Sequence, residues 1–354
     1  MEKKEFELAV FIGRLQPYHL AHHALVQKAL EIADKAVVVL GSSFRARDPK
    51  NPFTWTERRD MVKLSFSEED AQRLSFIPVR DYYDDDSWVT AIQEEIAQRF
   101  PGVRNIALVG HFKDASSYYL NRFQGWELVE QDTSLEDGLS ATQLRDALFS
   151  KEAGWPVIRV MAAPSMPVPV MEYLNLWRHT AAYEQMRDEQ EGLQNYRKLW
   201  SDTPYEVLFV TVDAVVRCNG HVLLVQRGRS PGKGLWALPG GFLESKESLL
   251  QSAVRELREE TSLDVMGYCI EHALKDVKVF DHPNRSLRGR TLTHAHYFDL
   301  GERRHLPEVR AADDAAEVRW VPVEELSGME ESLFEDHATI LGAMPVVAEV
   351  TNPV

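Results

Sequence analysis

The second half of the chain contains the stretch that decides its fold, Leu238-Pro-Gly-Gly-Phe-Leu-Glu-Ser-Lys-Glu247, followed after seven residues by Arg255-Glu-Leu-Arg-Glu-Glu260. Its glycines lack a Cβ atom, so the backbone can approach a neighbouring helix closely. At 3.6 residues per turn, Glu256, Glu259 and Glu260 fall within an arc of about 100° on one helix. An apolar stripe beside this arc is expected to pack the helix against a sheet: Leu250, Ala253, Val254 and Leu257.

Three carboxylates on one arc repel each other unless cations lie between them. Mg²⁺ prefers carboxylate and phosphate oxygens, and it can lower the pKa of an attacking water. We therefore predict that Glu256, Glu259 and Glu260 are catalytic metal ligands for Mg²⁺, with Mn²⁺ as the alternative ion. The competing interpretation is a solvated amphipathic helix with ordinary Glu and Arg pairs.

The spacing of this stretch is similar to the Nudix box. That resemblance implies a pyrophosphohydrolase in which Arg255 holds Glu247 and Gly241 belongs to the same loop. The chain has Ser262 where the family has glycine, and we expect this serine to be a left-handed helix cap without a role in chemistry. The preceding loop, residues 226–239, resembles the ADP-ribose pyrophosphatase branch.

The box does not identify the catalytic base. Asp281, Asp313 and Asp314 lie in predicted loops and are candidates, although an ordinary surface position is the alternative for each.

Near the N-terminus, a predicted strand ends in Gly13-Arg-Leu-Gln-Pro-Tyr-His19-Leu-Ala-His22 and a predicted helix follows at once. Backbone N–H groups and the dipole at a helix start favour phosphate. The imidazoles of His19 and His22 can donate to a leaving group as charge develops on it. A capping pair, a metal-binding pair or surface histidines are the alternatives.

Two further loops suit phosphate, and each follows a predicted strand. They are Gly110-His-Phe-Lys113-Asp114 and Leu139-Ser140-Ala-Thr142-Gln-Leu-Arg145. Strands at 6–12, 36–40, 75–79, 105–109 and 127–130 alternate with helices at 20–33, 56–65, 88–100 and 141–149, which predicts βαβ units and a doubly wound parallel sheet. In such a sheet ligands bind beyond the carboxyl ends of the strands.

Residues 6–150 resemble the archaeal-type nicotinamide mononucleotide adenylyltransferases of the nucleotidylyltransferase superfamily, with Ala21 in place of a motif glycine. The resemblance implies that Trp88 stacks on the nicotinamide ring beside Asp85, as cation–π attraction would favour; helix core is the alternative for Trp88. It also implies catalytic roles for His19, His22 and Arg145. The implied contacts to ATP and substrate are Gly13, Arg14, Gln16, Lys113, Ser140 and Thr142.

The predicted fold is therefore α/β in the N-terminal half and α+β in the C-terminal half. A doubly wound, Rossmann-like nucleotidylyltransferase domain is expected over residues 1–190, a linker over 191–205 and a Nudix domain over 206–354. The Nudix domain should open with a strand at 206–217 and a type I′ hairpin at Asn219-Gly220.

The 354 residues carry a net charge of −15, which argues against non-specific binding to nucleic acid or anionic membranes. The two cysteines suggest no disulfide framework, and the charged N-terminus does not resemble a signal peptide, so we expect a cytoplasmic protein. A homo-oligomer remains open.

Taken together, the two resemblances imply a bifunctional enzyme. The N-terminal domain would make NAD from nicotinamide mononucleotide and ATP. The C-terminal domain would cleave ADP-ribose, with Mg²⁺ at both sites. One alternative is a Nudix domain that senses ADP-ribose or NAD without cleaving it. The other is a front domain that uses nicotinate mononucleotide or another phosphate, such as phosphopantetheine.

Overall fold

The computed structural model describes residues 4–112, 115–133, 139–151 and 154–348. The chain divides into two compact units, Met1–Asp188 and Glu189–Val354. The helix Ala181–Lys198 runs through this division and includes the first part of the segment predicted as a linker. The domain limits at residues 190 and 206 stay predictions. Across the described ranges, no helix combines the length and the apolar character needed to cross a membrane.

The first unit is a five-stranded parallel sheet with helices, as the alternating pattern predicts. Its strand order is β3-β2-β1-β4-β5. The elements are β1 (Phe6–Gly13), α1 (Leu20–Ile32), β2 (Ala33–Leu40), α2 (Trp55–Leu64), α3 (Glu68–Arg73), β3 (Leu74–Pro78), α4 (Asp85–Arg99), β4 (Ile106–Gly110), β5 (Glu127–Glu130), α5 (Ala141–Phe149), α6 (Trp155–Ala162), α7 (Val168–Trp177) and α8 (Ala181–Lys198).

Strand β1 is buried on both faces because it lies in the middle of this sheet. Ala9 and Phe11 belong to one apolar cluster, whereas Leu8, Val10 and Ile12 belong to the cluster on the opposite face. Burial of both faces explains why the strand is a nearly continuous apolar run.

The strand order reverses at β1 and β4, which is the switch point where open parallel sheets bind ligands. The three loops predicted to bind phosphate follow β1, β4 and β5. Because these parallel strands are neighbours, the loops lie at the same end of the sheet, beyond the carboxyl ends of the strands. Helix α4 begins three residues before the predicted start, since the Asp84 side chain accepts from the Ser87 backbone and caps it.

The second unit is a mixed sheet with helices, in agreement with the predicted α+β class. The sheet order is β10-β11-β6-β7-β12, with β8 paired to β7 and β9 paired to β6. Among the described strands of this second sheet, only the β11–β6 pair is parallel. The elements are β6 (Leu208–Cys218), β7 (His221–Arg227), β8 (Trp236–Ala237), β9 (Gly240–Phe242), α9 (Leu249–Thr261), α10 (Gly267–His272), β10 (Leu274–Phe280), β11 (Arg290–Asp299), β12 (Ala315–Pro322), α11 (His337–Ala343) and α12 (Pro345–Ala348).

Local signals in the sequence set the ends of several elements here. Asn219 and Gly220 have φ values of 47° and 69°, as the predicted type I′ hairpin requires. Ser248 forms a capping box with Gln251, so α9 starts at Leu249. Ser262 ends α9 at φ 42° and ψ 36°, which confirms the expected left-handed cap.

Candidate active sites

The first candidate site lies where β1 meets α1. His19 is the N-cap residue of α1, and the rings of His19 and His22 stack with their centroids 3.7 Å apart. The ring of Tyr18 is also stacked with that of His22, with centroids 6.1 Å apart. Both imidazoles are thus held at a helix N-terminus, a position that favours an anionic ligand.

Two buried side chains hold the loop between β1 and α1 in place. The Arg58 guanidinium, which is 1% exposed, donates to the carbonyl oxygens of Arg14 at 2.6 Å and Gly41 at 2.7 Å. Its burial lowers the pKa of Arg58 to about 10. Gln16 bonds through both ends of its amide to the backbone of Phe53, at 2.9 and 3.0 Å. Gln16 therefore fixes the loop against the backbone of Phe53. Its contact with ATP stays a prediction.

Helix α5 brings a second motif to the same loop. The Arg145 guanidinium donates to the Gln16 carbonyl at 2.6 Å and to the Thr142 hydroxyl at 3.1 Å. Ser140 caps the helix by accepting from the Gln143 backbone. Residues 129 positions apart in the chain thus form one site.

Three cations influence one another at this site. Burial, and then the charge of Arg14, lowers the pKa of Arg145. The same two causes, in the same order, lower the pKa of Lys50. Cations that destabilise each other in this way are suited to a multiply charged anion such as a triphosphate. The predicted contact Lys113 lies outside the described residues.

Trp88 is half-buried, with its ring edge-on to Tyr119 at 5.5 Å and to Phe123 at 5.9 Å. It therefore contributes to the core and also leaves part of its ring accessible. Asp85 accepts from the Tyr118 hydroxyl at 2.6 Å and pairs with Arg122 at 3.1 Å. Stacking of Trp88 on a substrate ring stays a prediction.

The second candidate site is formed by the loop before α9 and by the acidic face of that helix. A Cβ on Gly241 would lie 2.5 Å from the Glu256 carboxylate, and one on Gly240 would lie 2.2 Å from the Val212 carbonyl oxygen. The Gly240 N–H donates to Glu260 at 3.0 Å. The loop approaches the helix so closely that these two positions require glycine.

One guanidinium connects the carboxylates of this site. Arg255 Nε donates to both oxygens of Glu247, at 2.9 and 3.0 Å, so the contact implied by the Nudix resemblance is present. Arg255 Nη1 donates to Glu256 at 2.9 Å and to Glu259 at 3.0 Å. A single cation is therefore shared by three of the four carboxylates.

The site carries more negative charge than Arg255 can neutralise. Burial raises the pKa of Glu260 to about 8, against the opposing hydrogen bond from Gly240. Burial is also the main cause that raises the pKa of Glu256, and the charges of Glu259 and Asp313 add to it. Within the described ranges, no three His, Cys, Asp or Glu side chains already have metal-binding geometry. The hard oxygen donors and their excess charge nevertheless fit a divalent cation, which would compete with Arg255 for them.

Among the three aspartates considered as the base, Asp313 is the one whose charge raises the pKa of Glu256. Its loop is joined to the end of α9 by the hydrogen bond from Ala312 N–H to the Glu260 carbonyl, 3.1 Å long. Asp314 pairs with Arg229 at 2.9 Å, and Asp281 is exposed. Of the three, Asp313 is therefore the one with an electrostatic interaction with Glu256, and its role as the base stays a prediction.

Known families match both halves of the chain. The "Cytidylyltransferase-like" family model matches residues 10–103, and the "NUDIX domain" model matches residues 207–343. A crystal structure of a bifunctional NMN adenylyltransferase/ADP ribose pyrophosphatase from Francisella tularensis, complexed with AMP and a Mn ion, is 32% identical. It covers 98% of this chain and 100% of its own, with a TM-score of 0.86. The chain belongs to this bifunctional family.

Each half of the bifunctional chain also resembles separate proteins. The nicotinamide/nicotinic acid mononucleotide adenylyltransferase of Acinetobacter baylyi is 34% identical over 52% of this chain and 94% of its own length. The ADP-ribose pyrophosphatase of Methanocaldococcus jannaschii is 32% identical over 37% of this chain and 70% of its own.

A cavity of about 330 Å³ lies beside the Nudix loop of this bifunctional family member. Its wall includes Trp200, Phe209 and Arg288. The Phe209 ring meets the ring of Phe242, a loop residue, at 5.7 Å, and the Arg288 guanidinium lies 5.6 Å from the same Phe242 ring. Aromatic and cationic walls suit the base and the phosphate of a nucleotide.

Several residues of these sites were absent from the sequence-based prediction. The sequence assigned no role to Arg58, and no local pattern distinguishes Lys50 from any other loop lysine. Proximity to Arg14, which only the fold creates, is what identifies Lys50 as a site residue.

Proposed function

We propose that the chain is a bifunctional enzyme of NAD metabolism. The N-terminal unit transfers the adenylyl group of ATP to nicotinamide mononucleotide, giving NAD and pyrophosphate. The C-terminal unit hydrolyses ADP-ribose to AMP and ribose 5-phosphate. The observation that carries this proposal is the match to a bifunctional enzyme along 98% of the chain, with a phosphate-suited site in one half and a Nudix loop and helix in the other.

Adenylyl transfer needs no nucleophile from the protein. The 5′-phosphate of the mononucleotide attacks the α-phosphorus of ATP, and pyrophosphate leaves. Arg14, Lys50 and Arg145 offset the triphosphate charge, while His19 and His22 donate to the oxygens that gain charge. The rigid contacts of Arg58 and Gln16 keep these donors in place before the substrate arrives.

Hydrolysis in the Nudix unit depends on the carboxylates of Glu256, Glu259 and Glu260. Mg²⁺, or Mn²⁺, supplies charge neutralisation of the diphosphate and a water of lowered pKa when bound there. Arg255 orients these carboxylates. We assign to Asp313 the role of accepting a proton from the attacking water, and its electrostatic interaction with Glu256 supports this assignment. The cavity at Trp200 and Phe209 offers space for the remainder of the nucleotide. We extend the Mg²⁺ requirement to the adenylyltransferase site, where the ion accompanies ATP.

The two activities can be separated by substitution. Purified protein given ATP with nicotinamide mononucleotide, or ADP-ribose alone, should catalyse both reactions. We expect Glu259→Gln and Glu260→Gln to abolish only ADP-ribose hydrolysis, and His22→Ala to abolish only NAD synthesis. Each variant serves as the folding control for the other unit. Loss of both activities from any one of these substitutions would contradict the model of two independent sites.

The acceptor of the first reaction has one specific alternative. The Acinetobacter baylyi relative is named for both nicotinamide and nicotinic acid mononucleotides. A side-by-side measurement of kcat/KM for both acceptors, with phosphopantetheine as a third, tests the preference for nicotinamide. The non-hydrolysing sensor is not favoured, because every glutamate of the Nudix site is in place. We also propose a cytoplasmic enzyme with small-molecule substrates and no nucleic-acid partner.

A further inference from the structure

The loop before α9, which begins at Leu238, is hydrogen-bonded to His337, a residue 99 positions further along the chain. The backbone N–H of Leu238 donates to Nδ1 of His337 at 2.8 Å, and both groups are buried. His337 is the first residue of α11, and Leu238 directly precedes the Pro239-Gly240-Gly241 turn. A single imidazole thus determines where the loop begins.

This hydrogen bond determines the tautomer of the ring. Because Nδ1 accepts, the proton of the neutral imidazole is on Nε2. Nε2 faces the buried carboxylate of Asp213, at 3.8 Å from Oδ1. The other oxygen of Asp213 accepts from the Thr293 hydroxyl at 2.5 Å. Burial lowers the pKa of His337 to about 4, so the ring is neutral where the enzyme would act.

Other charged groups near this chain of contacts are already paired within the same unit. Arg285 forms a bidentate pair with Asp336 at 2.7 and 2.9 Å, and both side chains are buried. Arg227 donates to the Pro231 carbonyl at 2.8 Å. The acceptor of the Leu238 N–H is the His337 ring, since a guanidinium offers only donors.

The same contacts reach the catalytic glutamates through the loop. Gly240 packs so tightly on β6 that a Cβ there would lie 2.9 Å from the Asp213 carboxylate. The Ala214 N–H donates to the Pro239 carbonyl at 2.8 Å. On its other side Gly240 donates to Glu260. Any displacement of the loop would therefore move the donor that orients a proposed metal ligand.

We propose that Thr293, Asp213 and His337 form a buried chain that positions the Leu238–Gly241 segment against Glu256 and Glu260, so that Asp213 and His337 are positioning residues of the hydrolase site. This inference rests on the proposed Nudix function. Neither residue touches substrate. Their effect is exerted through the backbone of the loop.

The test compares His337→Asn, which retains an acceptor near the position of Nδ1, with His337→Leu, which removes it. We measure Mn²⁺ affinity of the full chain by electron paramagnetic resonance, and kcat and KM for ADP-ribose. His337→Leu leaves a buried N–H without its acceptor, so Mn²⁺ affinity and kcat should each fall about tenfold. His337→Asn should recover most of the loss.

Two controls separate positioning from general stability. NAD synthesis by each variant reports that the N-terminal unit is intact, and the melting curve reports whether the Nudix unit is folded. Thr291→Val removes another buried hydroxyl from β11, one that bonds to the Gly289 carbonyl, and should leave Mn²⁺ affinity unchanged. Thr293→Val makes the same change at the hydroxyl that donates to Asp213, and it should weaken Mn²⁺ binding.

Unchanged Mn²⁺ affinity and kcat in His337→Leu would overturn the proposal, even if its melting temperature fell. Mn²⁺ affinity and kcat no higher in His337→Asn than in His337→Leu would also overturn it. If His337→Leu does not fold, Thr293→Val decides by the same Mn²⁺ titration. Absence of ADP-ribose hydrolysis in the unsubstituted chain would instead count against the proposed function, and the Mn²⁺ titration would still test positioning.

Discussion

At the scale of single residues, Arg255 holds together carboxylates that would otherwise repel one another. Its planar guanidinium reaches Glu247, Glu256 and Glu259 at the same time. A lysine carries the same charge but has a single nitrogen, so it cannot reproduce this fork of donors.

We therefore expect Arg255→Lys to lower kcat/KM for ADP-ribose by roughly tenfold or more and to raise the Mg²⁺ concentration needed for half-maximal rate. Steady-state kinetics over a Mg²⁺ series measure both. Arg258→Lys, at an exposed position on the same helix, is the matched control. Equal kcat/KM values in the two variants would show that hydrolysis does not need the several donors of the Arg255 guanidinium.

The raised pKa of Glu260 gives a second prediction at this scale. Because the pKa is about 8 in the folded chain against 4.5 for an ordinary glutamate, the metal-free protein retains a proton there at neutral pH. The associated stability is complete below pH 4.5 and is lost as the pH rises through 8.

Mg²⁺ requires the ionised carboxylate, so its binding at pH 7 should release a proton. Isothermal titration in two buffers of different protonation enthalpy measures that release, and it should vanish at pH 9. Equal heats in both buffers at pH 7 would mean that Glu260 is already ionised without metal.

At the scale of elements, α9 shows how a local departure from the family pattern is tolerated. Ser262 takes the left-handed conformation that glycine would adopt without strain. Its N–H still closes the helix on the Arg258 carbonyl at 2.9 Å. Glu256, Glu259 and Glu260, the proposed metal ligands, all precede this cap in the helix.

Ser262→Gly should therefore raise the stability of the protein by about 1 kcal/mol without changing kcat for ADP-ribose. Urea unfolding and steady-state kinetics test the two parts separately. A changed kcat would indicate that the serine takes part in the chemistry. Ser262→Ala, which keeps the strained conformation, should gain no such stability.

At the scale of the whole molecule, an acidic chain carries a locally basic site. The net charge is −15, yet Arg14, Lys50 and Arg145 lie together at the ATP site we propose. The overall field repels polyanions, whereas a cluster of close cations can still bind a small anion.

We expect no detectable binding of duplex DNA at about 150 mM salt, because few phosphates could be neutralised. ATP binding should persist under the same conditions and should weaken in Lys50→Met. Fluorescence anisotropy of labelled DNA and calorimetry with ATP provide the comparison. Salt-sensitive DNA binding would contradict the prediction.

Local chemistry in the sequence predicted much of the fold and the outline of both sites. The period of the apolar residues distinguished βαβ units from the mixed second unit, and Asn219-Gly220 predicted its turn from backbone preference alone. The helical period placed Glu256, Glu259 and Glu260 on one face of α9. The contact of Arg255 with the loop residue Glu247 was implied by the resemblance to the Nudix box, and it is present.

Only the tertiary structure brought together residues that are distant in the chain. Arg145 meets Gln16 across 129 positions, Lys50 joins Arg14, and His337 receives Leu238 across 99 positions. No local pattern identifies such residues, because their role arises from strand order and burial. The sequence by itself determined which chemistry each unit offers, and the packing of strands and helices decided which side chains hold that chemistry in place.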